Sequence, residues 1–323
     1  MAKYILKRLV QMIPIMFIIS IGIFGIVELM PGDPLTMYFG EAPRLSPEVL
    51  EQMRENLGVD KPVAERYFIW LRNLLKLDLG VSTQYKKPVV ETMGLFIWNT
   101  FLLNIITTPI AFILSLFIGI RSAVKRRGFF DNFFTVFTLV FVSIPTFVFS
   151  LLLIYIFPIK LGILPITGMV KAGYAHANSF ERAKDILYHM ILPGSVLVCV
   201  NLARFTRYIR SSMLEVINQD YIRTARSKGL SEKVVIYKHA LRNAMIPIVT
   251  LIGSSLGTIF TGAIMLETTV SWPGMGQIMA ESIQRRDIPF MIAAFVFYAL
   301  MTLLGNLFAD IGYVFVDPQI KYD

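Results

Sequence analysis

The sequence predicts an all-α integral membrane protein with six transmembrane helices and an extracytoplasmic helical segment after the first span. Three observations carry this. Of 323 residues, 55% are hydrophobic and only 16% charged, against about 25% charged in a soluble domain. The apolar residues gather in blocks close to the roughly 20 residues a helix needs to cross a bilayer. Lys and Arg collect between alternate blocks, as in loops on the cytoplasmic side of a membrane. These features exclude an ordinary soluble enzyme and a disordered chain. The net charge of +9 reads as membrane topology rather than as a nucleic-acid surface. The single Cys199 leaves no intramolecular disulfide to form, and His176, His189 and His239 fit no metal-ligand spacing.

Stretches free of Asp, Glu, Lys and Arg place the spans at 9–27, 92–120, 132–159, 186–203, 243–266 and 288–309. Each is expected to be helical, because lipid cannot satisfy an open backbone, and no β-barrel alternation occurs. The first block follows Lys3, Lys7 and Arg8 as a signal peptide would. Its apolar run is too long for one, and Met30-Pro31-Gly32-Asp33 is no small-residue cleavage site, so an uncleaved anchor is expected. Basic residues in the N-terminus, in the second-to-third loop (Arg121, Lys125, Arg126, Arg127) and in the fourth-to-fifth loop (from Arg204 to Arg242) fall on one side of the count. That side is cytoplasmic, with both termini inside. The expected organisation is a cytoplasmic N-terminus and first span (1–30), an extracytoplasmic segment (31–91), a five-helix core (92–316) and a cytoplasmic tail (317–323).

The outer segment opens with the turn Pro31-Gly32-Asp33-Pro34. Ser46-Pro47-Glu48 then predicts a helix start, with Leu50, Met53 and Leu57 at helical spacing and Gly58 as a stop. A second helix is predicted from about Pro62 to Lys76, with Tyr67, Leu71, Leu74 and Leu75 on one stripe. Such a cap could plug the gap between helices or face an external partner.

The cytoplasmic loop, at about 204–243, holds the most information. Residues 215–228 favour helix, Gly229 can terminate it, and Ser231 with Glu232 can start another that runs into the fifth span. A basic loop alone needs only anionic lipid. A helix, a Gly turn and a helix together favour a docking element for a cytoplasmic partner.

Chemistry motifs are missing. No G-x-x-x-x-G-K-[ST] loop, H-E-x-x-H or G-x-S-x-G occurs, so transport is favoured over catalysis. The glycines from Gly253 to Gly262 suit close helix packing. Glu28, Glu267 and Asp310 sit near span ends; Glu28 is expected to reach water and Asp310 to make a helix–helix contact. Pro14, Pro109 and Pro145 can kink their spans.

The run Tyr221-Ile222-Arg223-Thr224-Ala225-Arg226-Ser227-Lys228-Gly229-Leu230, followed by His239-Ala240-Leu241-Arg242-Asn243-Ala244, resembles the permease loop of ABC importers. Pro31-Gly32-Asp33-Pro34, Leu57-Gly58-Val59-Asp60-Lys61-Pro62, Asp78-Leu79-Gly80-Val81-Ser82, Trp272-Pro273-Gly274-Met275-Gly276 and Asp317-Pro318 agree in order along nearly the whole chain. More narrowly, the chain resembles the first-permease (B-type) branch of the dipeptide/oligopeptide/nickel family. Arg223-Thr224-Ala225 stands where the general loop has Glu-Ala-Ala, and Gln319 where this branch usually has Arg.

The resemblance implies an ABC importer permease fold and a non-catalytic transport subunit in a bacterial inner or plasma membrane. A second homologous permease, two cytoplasmic ATPases that bind ATP and Mg, and an extracytoplasmic substrate-binding protein are the implied partners. This chain itself would carry no cofactor. Arg223, Thr224, Ala225, Arg226, Lys228, Gly229 and His239 would form the ATPase-coupling region, with Arg226 and Lys228 available to acidic groups there. Asp60, Arg66 and Trp70 would face the binding protein. Di- or oligopeptides are the expected cargo, with nickel or oligosaccharides as alternatives. An ion-coupled carrier would instead need paired mid-membrane carboxylates and two similar halves.

Overall fold

A computed structural model of the chain describes residues 2–29, 51, 61–171, 173 and 178–316. The turn at 31–34, the helix expected near 46–58, Asp60, His176 and the tail at 317–323 lie outside the described residues. Among the described residues there is no β-strand, only an isolated antiparallel bridge between Val81 and Pro88.

The elements are α1 (Ala2–Glu28), α2 (Val63–Leu75), α3 (Val89–Val124), α4 (Phe129–Ser143) and α5 (Thr146–Ile154), which runs on into a π-helical turn, Tyr155–Leu161. Then come α6 (Ser179–Ile217), α7 (Asp220–Ser227) and α8 (Glu232–Val234), with a second π turn, Val235–Ala240. Last are α9 (Leu241–Thr258), α10 (Ile264–Thr269), α11 (Met275–Arg285) and α12 (Ile288–Val316). Five helices, beginning at Tyr4, Val89, Ser179, Glu232 and Ile288, are long and apolar enough to cross a membrane, and the α4–α5 pair makes a sixth if taken as one broken span. The chain is therefore a multi-pass membrane protein.

The third span departs from a straight helix. α4 and α5 meet at 101°. Pro145 is the cause: its ring disfavours helical geometry in the preceding residue, and Ile144 is extended at φ −75°, ψ 124°. Pro14 and Pro109, by contrast, sit within continuous helices.

The fourth span is longer than its apolar stretch. α6 has 39 residues, about 58 Å at 1.5 Å per residue, against a hydrocarbon layer of about 30 Å. Its start is fixed by Asn178, whose side chain accepts the Glu181 N–H at 2.9 Å. Its basic end, through Arg204, Arg207 and Arg210, stays helical as far as Ile217, just before α7. The fifth span is shifted rather than shortened, running as continuous helix over Glu232–Thr258. α9 stops at Thr258, and the rest of the 243–266 block breaks before it continues into α10.

α3 packs along α6, and α9 along α12, with α1 on the outside of α12. The α9–α12 pair shows why glycine is needed there. A Cβ on Gly257 would lie 2.9 Å from the Met301 carbonyl oxygen, so only a bare backbone permits that approach. α2 lies against the C-terminal half of α1: Tyr67 donates to or accepts from Ser20 at 2.7 Å and packs edge-on to Phe24. Leu75, expected on the buried stripe, is 78% exposed.

The buried apolar residues form three clusters. One lies around Phe205, Ile209, Met213 and Ile222, a second around Leu103, Met190 and Trp272, and a third around Val89, Met275 and Phe290.

Candidate coupling surface and outer corner

α7 begins where α6 breaks. The expected single helix over 215–228 is two helices, because Asn218 caps α6 and Gln219 is extended at φ −73°, ψ 151°. Asp220 in the first turn and Arg226 in the last suit the dipole of α7. Ile222 and Ala225 are spaced to share one face, and both are buried in the cluster that holds Met213, Val235 and Ile236. Ala225 therefore belongs to the core beneath α7 and does not present itself to a partner. The opposite face is open: Arg223, Thr224, Arg226, Ser227 and Lys228 are all exposed.

The turn after α7 favours glycine. Gly229 has φ +75°, a left-handed conformation that costs an L side chain about 1–2 kcal/mol. Its N–H donates to the Arg226 carbonyl at 2.9 Å. Ser231 then caps through its backbone, accepting from Val234 and Val235, with no side-chain bond. His239 is half-buried on the π turn that leads into α9.

Two further contacts hold α7. The Arg226 guanidinium spans the turn to Glu232, with Nε and Nη2 donating at 3.1 and 2.7 Å. This pairing pushes the Arg226 pKa up. So Arg226, expected to meet an acidic group on a partner, meets one in its own chain. Asn243 Nδ2 donates to the Tyr221 hydroxyl at 2.8 Å, tying α7 to α9.

About two turns before the end of α6, Arg210 makes a two-pronged bond to Asp131, at 2.5 and 2.9 Å. Asp131 is 1% exposed and also accepts the Arg127 N–H at 2.9 Å. This joint fastens the start of the bent α4–α5 span to the helix that carries α7. Sequence reasoning missed it. The available signal was a lone carboxylate just after three basic residues and Gly128, at the mouth of an apolar block.

The far end of the molecule holds a second polar construction. Glu267 is fully buried, not at a wet span end. It accepts from the N–H groups of Ala263, Gly276 and Gln277 and from the Thr100 hydroxyl, at 2.7–3.3 Å. It thus sits at the N-terminus of α11, where the dipole favours an anion. Trp272 is fully buried beside it, with its indole N–H on the Asn99 carbonyl at 3.1 Å. Asp287, also fully buried, accepts from the Ser82 hydroxyl and from the N–H groups of Thr83 and Gln84. It also caps α12 through Phe290 N–H at 3.4 Å. Glu281 accepts from Gln84 Nε2 and the Tyr85 hydroxyl. Burial, with Glu281 beside it, pushes the Tyr85 pKa up to about 12, so it stays neutral and donates. Asp287 was legible as a cap, an Asp two residues before a proline at a helix start.

Of the residues expected to face an external partner, Arg66 pairs with Glu28 and Trp70 packs on Phe24 at 5.7 Å. Both are turned toward α1. Asp310 meets Arg8 at 3.2 Å, the expected helix–helix contact; Glu28, expected in water, is ion-paired. Among the described residues no three His, Cys, Asp or Glu side chains converge to hold a metal ion.

Comparison with known proteins adds the following. Residues 1–116 match the N-terminal family segment described as a binding-protein-dependent transport system membrane component. Residues 115–322 match the binding-protein-dependent transport system inner membrane component family. The oligopeptide transport system permease protein AppB of Bacillus subtilis is 39% identical over all of both chains. The dipeptide transport system permease protein DppB of Alkalihalophilus pseudofirmus is 36% identical over all of both chains. The glutathione transport system permease protein GsiC of Pectobacterium atrosepticum is 36% identical, also over the full length of both.

Proposed function

The chain belongs to the binding-protein-dependent transport system inner membrane component family, and we propose that it is the permease subunit of a peptide-importing ABC transporter. The proposed cargo is di- or oligopeptides, since the full-length relatives named above are oligopeptide, dipeptide and glutathione permeases. In this reading the chain catalyses nothing. ATP and Mg are bound by two cytoplasmic ATPases, a second homologous permease completes the pathway, and an external binding protein delivers peptide.

The observation that carries the mechanism is α7. In this reading it stands beyond the membrane at the end of the long α6; it is held to the core by Ile222 and Ala225, and Arg223, Thr224 and Lys228 are exposed. An ATPase surface that moves on nucleotide binding would push this short helix, and α6 with the Asp131–Arg210 joint would carry the push into the bundle. Gly229 shapes the turn and His239 lines its exit. Positive-inside charge supports placing α7 and both termini in the cytoplasm.

An ion-coupled carrier finds less support. The candidate carboxylates Glu28 and Asp310 each have a cation against them, and Glu267 is filled by four donors.

The test is peptide uptake by cells carrying the Arg223→Glu, Lys228→Glu double variant. We expect normal amounts of inserted protein and uptake reduced by more than roughly tenfold, because reversing two interface charges costs several kcal/mol against the wrong field. Uptake at the wild-type rate would sink the assignment of α7 as the coupling element.

A further inference from the structure

A groove of about 250 Å³ opens between the α7-side end of α3 and the segment from α8 through the π turn. Its floor is apolar and buried, formed by Ile120 and Ile236. Phe117 and Tyr237 form walls that are 60% and 56% exposed. Arg121, Lys125 and Lys233 stand at the rim, together with Glu232.

The charge balance at this rim is uneven. Both oxygens of Glu232 are occupied by Arg226, so its charge is already answered. Among the described residues, no carboxylate lies within 4.0 Å of Arg121, Lys125 or Lys233. The Arg121 guanidinium rests over the Phe130 ring, 4.9 Å from its centroid. That contact uses the face of the group and leaves its N–H edge to donate. Three cations thus converge over an apolar floor with no anion of their own.

We propose that this groove binds the headgroup of an anionic phospholipid, in the leaflet that borders α7. A phosphodiester supplies the missing negative charge and several acceptor oxygens for the Arg121 fork and the two ammonium groups. The acyl chain has a path, because the groove continues onto the exposed apolar flank of α3 at Phe117, Leu114 and Ile113. Tyr237, an amphipathic ring of the kind enriched at membrane–water boundaries, lines the same groove. A zwitterionic lipid would bring its own ammonium against three cations and bind less well. A protein partner would not account for the continuity with the lipid-facing flank of α3. The inference rests on α3 and α9 spanning the membrane and not on what the transporter carries.

The experiment uses the chain in its complete assembly, purified in mild detergent and titrated with phosphatidylglycerol or phosphatidylcholine. Bound lipid is counted by native mass spectrometry. We expect phosphatidylglycerol to be preferred, and the Arg121→Gln, Lys125→Gln, Lys233→Gln variant to bind it more than roughly tenfold more weakly. A control variant, Arg207→Gln with Arg242→Gln, removes two cations elsewhere on the same side and is expected to bind as the wild type does. No preference for phosphatidylglycerol, unchanged binding by the triple variant, or an equal loss in the control would each overturn the proposal. A benzophenone side chain at position 237 gives a second readout. Cross-linking to lipid supports the site, and cross-linking to a protein subunit instead would overturn it.

Discussion

Gly229 and Asp131 show how single residues set this molecule's geometry by different means. A Cβ at position 229 would touch nothing within 4 Å, so crowding plays no part. The φ of +75° alone favours glycine. Gly229→Ala is expected to cost about 1 kcal/mol and to lower uptake only modestly. Gly229→Pro cannot adopt that φ and also loses the N–H bonded to Arg226, so it is expected to abolish uptake while insertion remains normal. Uptake measured against membrane content separates the two. Asp131 acts through charge. Asp131→Ala leaves Arg210 without its partner and the Arg127 N–H without an acceptor. We expect a loss of roughly 2–4 kcal/mol in thermal unfolding of the detergent-solubilised protein, the upper figure belonging to fully buried pairs. Exchanging the two, Asp131→Arg with Arg210→Asp, restores the ion pair but not the amide bond, because arginine accepts nothing. Its recovery should therefore be partial. Tyr85 gives a pH test of the same kind. Its pKa lies above the unfolded value of about 10, so its contact with Glu281 contributes fully below that pH and is lost as pH rises through about 12. Tyr85→Phe is expected to cost about 1 kcal/mol, unchanged between pH 6 and pH 9, in unfolding measured across that range.

At the scale of elements, what holds α7 can be ranked. The Arg226–Glu232 pair is conspicuous, but its side chains are 39% and 56% exposed, and such pairs contribute about 0–1 kcal/mol. Ile222 has no exposure at all, and deleting three of its carbons should cost about 2–5 kcal/mol. Glu232→Gln is thus expected to leave uptake near normal, and Ile222→Ala to release α7. Limited trypsin cleavage after Arg223 or Lys228 reads this directly: it should accelerate in the second variant only. The ranking also explains what could be read without coordinates. The stop at Gly229, the start at Ser231 and the length of α2 follow from local chemistry and were legible. The break at Gln219 was not, because weak helix formers such as Asn218 and Asp220 also occur inside helices, and the turn depends on the packing of Ile222 in the cluster that holds Val235. The bend at Pro145 had its cause in plain sight, since a proline can either kink a helix or break it. Which of these happens depends on what packs around Ile144.

At the scale of the whole chain, six apolar blocks and alternating basic loops sufficed for the architecture, because the bilayer imposes lengths that composition reveals. What stayed hidden joins distant residues: Arg210 with Asp131, Thr100 with Glu267, Ser82 with Asp287. Each is an unremarkable polar residue until its partner is found, and no local period points to it. Topology gives the corresponding prediction. Cys199 is the single cysteine, so in a Cys199→Ser background one new cysteine reports alone. Lys228→Cys should react with a membrane-impermeant maleimide only in inverted vesicles, and Lys86→Cys only in intact cells stripped of any outer membrane. The reverse pattern would invert the orientation.

The latch between Ser82 and Asp287 closes over 205 residues of chain. A ribosome makes about 5–20 residues per second, so the loop at 82–85 waits roughly 10–40 seconds for its partner to be synthesised. During that interval its amide donors and Tyr85 have nothing to hold. Asp287, which caps α12, is therefore a late-made residue that locks this corner, and a closed corner reports that synthesis has passed it. A chain truncated after Arg286 would leave the loop open to membrane proteases, and a chain that reaches the end of α12 would not. Pulse-chase turnover of the two truncations should differ accordingly, so that the cell discards the unfinished permease and keeps the finished one.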